Sequence, residues 1–506
     1  MARLLQLPAE ILLHIISEVR SNRDLAAFSR SCRTVHNLSK QGLPLRRKYR
    51  RIRLVSNSDL ERGFTLLIAI LRRPQLGELV RHLELDRPPT CYHDYEIRNK
   101  DLKNLKSEDL ERLRTAIGNA GFTDGYGEKV LNMVLQPYEF ITPYSGTPQE
   151  GLRGAWVAQA LAALLISVSP YIGSMSMSII MSDFTGSYHS ETDRTRFGRR
   201  ELRCLPLEKF LMDTNDNPQE KPWLQYLHSV ELINNKENSW DDGRFYEEFD
   251  LLGMLQFFDR LPSIERVGID AMAQDENFLR FLPPTRSNIS RIRVQYSSVN
   301  TVYFMHLINS CITLKEFHYS TGGRASSDGS FSPFNPRTFL KTILGHKTTL
   351  EVLDVDSDSY CYYIDIESGS DYDRLISHDE KEDPRDGEVI AVEGFWDRSG
   401  SLGDFTSLRH LGIGLAVLLY LARGTQYMDT EDEEKVTPFD QVVLVDALPA
   451  CLESLCIRGY EKGLPNLKKV IGIEECIENA SNIEDPDEEN APLWEREEED
   501  WTEYEF

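Results

Sequence analysis

Between residues 80 and 457 one short hydrophobic pattern recurs, apolar-x-x-apolar-x-apolar. It occurs at Val80, Leu83, Leu85; at Ile172, Met175, Met177; and at Leu227, Val230, Leu232. It returns at Ile264, Val267, Ile269, at Ile289, Ile292, Val294, and at Leu314, Phe317, Tyr319. The last copies are Leu350, Leu353, Val355; Leu408, Leu411, Ile413; and Leu452, Leu455, Ile457. The final two apolar positions of each copy are two residues apart, so both point to one face of a short strand. Helix-like stretches precede the clear copies: Met254 to Leu261, Val302 to Ile308, Phe339 to Leu344 and Val442 to Leu448. Alternating helix and strand units at near-regular spacing predict an α/β repeat array. The tightest part, Ile264, Ile289, Leu314, repeats about every 25 residues.

The first 50 residues follow a different period. Leu7-Pro8-Ala9-Glu10-Ile11-Leu12 opens a helix whose apolar set is Ile11, Leu12, Leu13, Ile15, Ile16 and Val19. Pro8 suits a helix start, and Glu10 suits the positive end of the helix dipole. At about 100° per residue the apolar set covers an arc of roughly 200°, about twice what a core-facing helix of a very small domain needs. The excess implies a second partner for this helix. Asn22 or Ser21 can cap a second helix carrying Leu25, Ala26 and Phe28. Cys32, Val35 and Leu38 fit a third, expected to end before Gly42-Leu43-Pro44.

At Leu7-Pro8, Glu10-Ile11-Leu12, Ile15, Val19, Asp24-Leu25, Cys32 and Val35 the chain resembles the F-box family, with Val35 where that family often has tryptophan or another large apolar residue. The later units resemble irregular leucine-rich repeats that mostly lack the consensus asparagine or cysteine. Together these resemblances imply a three-helix F-box (residues 1–50), an irregular leucine-rich-repeat-like α/β solenoid (51–475), and a disordered acidic tail (476–506). They imply a substrate-recognition subunit of an SCF-type ubiquitin ligase. The F-box would bind a Skp-type adaptor, and through it a cullin scaffold, while the array holds an unidentified protein substrate. Such a subunit is not an enzyme, needs no cofactor, and works in the cytoplasm or nucleus within proteasomal degradation. The adaptor contact would fall on Leu7, Pro8, Ile11, Leu12 and Ile15, with Leu25 and Phe28 either joining it or serving as internal core. The alternative is a repeat scaffold for protein–protein interaction whose F-box-like helices only cap the solenoid, since terminal repeats need covering. The outward strand positions, Glu231, Gly268, Arg293, His318, Asp354, Gly412 and Cys456, are candidates for recognition.

Charge and composition narrow the reading further. The chain has 506 residues and a formal net charge of −24. Its first 55 residues are net basic by roughly nine charges and its last 33 net acidic by roughly fourteen. So acidic a chain is a poor nucleic-acid binder. The basic run Arg46 to Arg53 reads as a segment leading into a strand at Tyr49, Ile52 and Leu54, with a nuclear-localisation patch as the other reading. The apolar run Ala155 to Val168 is too short to span a bilayer and reads as a buried helix. Eight cysteines with no CxxC pair exclude a disulfide scaffold and a zinc site from the expectations.

Insertions are expected near 86–151, 321–336 and 365–404. Within the first, Ser107 to Ile117 reads as helix and Gly121 to Gly127 as a turn; Asp213 to Pro222 reads as a polar loop. No P-loop, HExxH helix or GxSxG elbow is present. Asp354, Asp356, Asp358 and Asp365 have the spacing of a calcium loop. Ser359 replaces the required glycine and a strand precedes the loop, so an acidic rim facing a basic partner is the expectation there.

Overall fold

The computed structural model describes residues 7–19, 22–87, 102–138, 148–180, 205–234, 246–274, 287–322, 334–357, 395, 397–425 and 444–458. The expected tail, most of the loops at 321–336 and 365–404, Asp358 and Asp365 lie outside these residues. The chain divides into two compact units, residues 1–238 with 253–268, and residues 239–252 with 269–506.

In the first unit three helices, α1 (Ala9–Glu18), α2 (Asn22–Ser31) and α3 (Arg33–Tyr49), precede β1 (Arg51–Leu54) and α4 (Asn57–Arg72). Leu12, Ile16, Leu25 and Val35 form the core of the three helices, with Leu7, Val19, Phe28, Cys32 and Leu38 packed around it. The expected stop before Gly42-Leu43-Pro44 is not where α3 ends; the helix runs through that triplet to Tyr49. An interior proline costs roughly 3 kcal/mol. Packing of α3 against the 3₁₀ turn Pro74–Leu79 and against β1 offsets that cost. Ser56 caps α4 in a reciprocal capping box with Asp59. Gly77 of the 3₁₀ turn is pressed against the chain, and a Cβ there would lie 2.1 Å from the Val168 carbonyl oxygen.

The parallel strands β1, β2 (His82–Leu85), β3 (Ser174–Met177) and β4 (Ser229–Leu232) pair in chain order. Between them run α5 (Ser107–Asn119), α6 (Asp124–Val134), α7 (Pro148–Ser167) and α8 (Pro206–Asp216). Residues 155–166 of α7 are all buried, as the apolar run interrupted only at Gln159 predicts. Its single polar residue in that run, Gln159, donates from Nε2 to the Ile180 carbonyl at 3.1 Å. Arg72 of α4 grips Asp109 of α5 through Nε and Nη2, at 2.9 and 2.6 Å.

Two loop expectations are corrected. Gly125 and Gly127 open α6 instead of forming a turn. A Cβ on Gly127 would lie 2.7 Å from the Phe122 carbonyl oxygen, so its glycine lets the helix start against the preceding bend. Asp213 to Asp216 are the last turn of α8, because Phe210, Leu211 and Thr214 are buried on one helical face.

The second unit repeats the scheme. A small parallel pair joins β5 (Glu247–Phe249) to β7 (Met272–Gln274), with α9 (Leu251–Leu255) following β5. β6 (Arg266–Asp270) lies at the division between the units. β8 (Arg291–Gln295), β9 (Glu316–Ser320), β10 (Val352–Asp356), β11 (His410–Gly414) and β12 (Ser454–Arg458) pair in parallel and in chain order. The helices α10 (Thr301–Ser310), α11 (Pro336–Leu344), α12 (Leu415–Arg423) and α13 (Leu444–Ala447) fall between strands.

All nine predicted apolar pairs lie on strands, and eight of them stack in unbroken register within β2–β4 and β8–β12. Leu83, Met175 and Val230 are register partners, as are Leu85, Met177 and Leu232. In the second unit Ile292, Phe317, Leu353, Leu411 and Leu455 form one row, and Val294, Tyr319, Val355, Ile413 and Ile457 another. β2 to β4 and β9 to β12 also start with the same backbone device, two successive amides donating to one carbonyl of the preceding strand's start. Arg81 and His82 donate to Arg50, Gly173 and Ser174 to Arg81, and His228 and Ser229 to Gly173. Lys315 and Glu316 donate to Ser290, Glu351 and Val352 to Lys315, Arg409 and His410 to Glu351, and Glu453 and Ser454 to Arg409.

Candidate interaction surfaces

The apolar arc of α1 is split by its packing. The Pro8 carbonyl accepts from the Ile11 and Leu12 amides, both at 3.1 Å, which fixes the phase of the first turn. Leu12 and Ile16 then face the three-helix core, Leu12 at 1% exposure. Ile11 and Leu13 are each 45% exposed, and Pro8 is exposed. Leu7, Ile15 and Phe28 are half-buried, while Leu25 is fully buried beside Leu12. At roughly 100° per residue, Ile11 and Ile15 line one flank of the core stripe and Leu13 the other. Of the residues expected to make the adaptor contact, then, Pro8 and Ile11 are exposed, Leu7, Ile15 and Phe28 are half-buried, and Leu12 of α1 and Leu25 of α2 are inside. Leu13 is an exposed apolar residue that the expected contact set leaves out; its place in the over-wide arc was the signal.

The second candidate is the polar side of the strands, where two residues expected to face outward, Arg293 and His318, are instead buried at 7% and 6% exposure. Arg293, His318, Asp354, Gly412 and Cys456 occupy one register row. These are five of the seven outward positions expected from the sequence. Charged side chains link them sideways. Arg291 Nη1 lies 3.2 Å from Glu316, and Arg293 Nη2 3.9 Å from Asp270. His318 Nδ1 is 3.5 Å from Asp354 Oδ2, and Arg458 reaches across β11 to pair with the same carboxylate. Gly412 makes that reach possible, since a Cβ there would sit 2.7 Å from Asp354 Oδ1. Burial pushes the Asp354 carboxyl up, but the His318 hydrogen bond and Arg458 outweigh it and hold it below the ordinary carboxylate value. The acidic rim expected at Asp354 and Asp356 therefore already has an internal cation, Arg458, 3.9 Å from Asp356 Oδ2.

In the first unit Glu84 is held by Arg51 and Arg53, with the Arg53 Nε at 3.1 Å. Glu231 lies over Gly268, where a Cβ would stand 2.1 Å from its carboxylate. His82 Nδ1 is 2.9 Å from Ser174 Oγ. Burial, then the charges of Arg51 and Arg50, push the His82 imidazole down to about 3, so it is neutral and a poor base. Burial likewise lowers His306 to about 4 and raises the Cys311 thiol to about 12. These groups are buried and scattered, and lie away from the groove of about 580 Å³ lined by Leu71, Glu108, Arg112 and Ser167. Among the described residues no three His, Cys, Asp or Glu side chains converge as metal ligands, and no helix is long and apolar enough to cross a membrane. Comparison of the chain with protein-family models and with curated proteins gives no match.

Proposed function

We propose that this chain is the substrate-recognition subunit of an SCF-type ubiquitin ligase. On this reading α1 to α3 form an F-box that docks on a Skp-type adaptor, and leucine-rich-repeat-like strand units hold a protein substrate, in the cytoplasm or nucleus. The chain performs no bond chemistry and supplies proximity and orientation. The observation that supports this most is the split arc of α1: the helix completes its own core with Leu12 and Ile16 yet leaves Pro8, Ile11 and Leu13 in solvent. Exposed apolar anchors beside a helix's own core stripe, here Pro8 and Ile11 on one flank and Leu13 on the other, are what a contact with an apolar groove requires. The test is co-purification of the full chain with a recombinant Skp-type adaptor. Pro8→Glu with Ile11→Glu should abolish capture and leave both strand units folded; capture that survives the double change refutes the proposal.

One observation favours a second reading. α3 packs against Pro74–Leu79 and β1, as a helical cap on the first strand would. Deleting residues 1–45 separates the two. A detachable adaptor module leaves the rest of the chain soluble with its melting unchanged, whereas loss of a cap exposes core and lowers the melting temperature or causes aggregation.

A further inference from the structure

Three loops of the first unit bring Arg81, Tyr171 and Tyr226 together, each from the segment that leads into β2, β3 or β4. The two tyrosine rings are 5.2 Å apart between centroids and tilted by 53°. The Arg81 guanidinium carbon lies 5.3 Å from the Tyr171 centroid. Tyr171 is 40% exposed and Tyr226 46%. Neither hydroxyl is engaged by a hydrogen bond among the described residues. Pro170 and Pro222 in the same loops are exposed as well.

The surface is held rigid from below. Gln225 Nε2 donates to the Pro218 and Lys221 carbonyls at 2.8 and 2.7 Å, and Ser263 Oγ donates to the Gln225 carbonyl at 2.6 Å. Leu224 is buried with φ 55°, a left-handed conformation that a branched side chain rarely adopts. That corner turns Tyr226 outward, and strain of this kind persists where surrounding structure enforces it. Tyrosines already fixed lose little entropy on binding. The surrounding charge is basic. Arg81 is hydrogen-bonded through its amide to Arg50, Lys48 is exposed near the end of α3, and Lys221 lies in the Tyr226 loop. These outnumber Glu78 and Glu220 in the same loops, on a chain whose net charge is −24.

We propose that this edge is a docking platform for a proline-rich, acid-flanked peptide segment of a partner protein, bound in the polyproline II conformation. Such a segment has carbonyls without internal hydrogen bonds, which suit two free phenolic donors, and flat rings that pack between tilted aromatic faces. Its acidic flanks meet Lys48, Arg50 and Lys221. The platform shares no residue with the exposed flank of α1, so it stands or falls separately from the adaptor reading.

The test is fluorescence anisotropy of the full chain with a labelled peptide, Glu-Glu-Pro-Pro-Pro-Pro-Pro-Glu-Glu. Binding should be saturable, and Tyr171→Ala or Tyr226→Ala should each weaken it about tenfold. Tyr226→Phe, which keeps the ring, should weaken it about threefold through the lost hydroxyl alone. A lysine-flanked peptide should bind about fivefold more weakly, and raising the salt should narrow that gap. No saturation, indifference to both alanine variants, equal binding of the lysine-flanked peptide, or tighter binding of oligothymidine would each overturn the proposal.

Discussion

Leu12 and Ile11 are neighbours in sequence and opposites in environment, so truncating each to alanine separates core from contact surface. Leu12 is 1% exposed within the small core it shares with Ile16, Leu25 and Val35. Leu12→Ala removes three buried carbons at about 0.8 kcal/mol each, and the residual cavity brings the loss to about 3 kcal/mol. Ile11 is 45% exposed, so much of its surface is already in water and its removal opens no enclosed cavity. Its truncation should cost about 1 kcal/mol or less. Hydrogen exchange read by mass spectrometry on peptides from residues 7–31 reports this locally, without requiring the whole chain to unfold in one step. Leu12→Ala should speed exchange there by about a hundredfold and Ile11→Ala by about fivefold at most. Equal acceleration by the two changes, or no acceleration by Leu12→Ala, would refute the assignment of α1's two faces. The contrast also guards the adaptor experiment. A variant that fails to bind because its helices opened would resemble Leu12→Ala in exchange, whereas loss of a contact face would resemble Ile11→Ala.

Gly77→Ala should destabilise the first unit by about 3 kcal/mol, because the added methyl meets a backbone carbonyl that cannot rotate away; exchange in residues 74–85 measures it, and wild-type protection there would contradict the packing. His82 gives a pH signature. Its folded value near 3 lies below the ordinary 6.5, so the unfolded chain binds the proton first and stability falls as pH drops below 6.5. Between pH 6.5 and 5, above the carboxylate range, His82→Asn should reduce this acid sensitivity by up to about 1.4 kcal/mol per pH unit; urea titrations of both proteins that show the same slope would remove His82 as its source.

Much of the strand framework was legible in the sequence because alternation acts locally. Two apolar residues separated by one position mark a core-facing side of a strand; all nine such pairs fall on strands, eight of them in rows stacked in register. The buried character of α7 was legible for a similar reason, since twelve consecutive buried positions leave no polar face. Errors came where local punctuation was overruled from a distance. Gly42-Leu43-Pro44 reads as a stop, yet α3 continues, packed on a turn some thirty residues later. Gly125 and Gly127 read as a turn, yet the missing Cβ of Gly127 serves a close approach that starts a helix.

The candidate surfaces divide along the same line. The sequence by itself determined that α1 carries more apolar surface than three short helices can bury, and that one face of the strand array is polar. Only the tertiary structure decided that Leu12 and Leu25 are inside while Ile11 and Leu13 are outside, because burial depends on which neighbours α2 and α3 bring to each position. It alone pairs Arg458 with Asp354 over the bare backbone of Gly412, and it alone sets Tyr171 against Tyr226. Periodicity specifies which side of an element faces the core. Contacts between residues some fifty to a hundred positions apart are made by the folding of intervening elements, which no local pattern encodes.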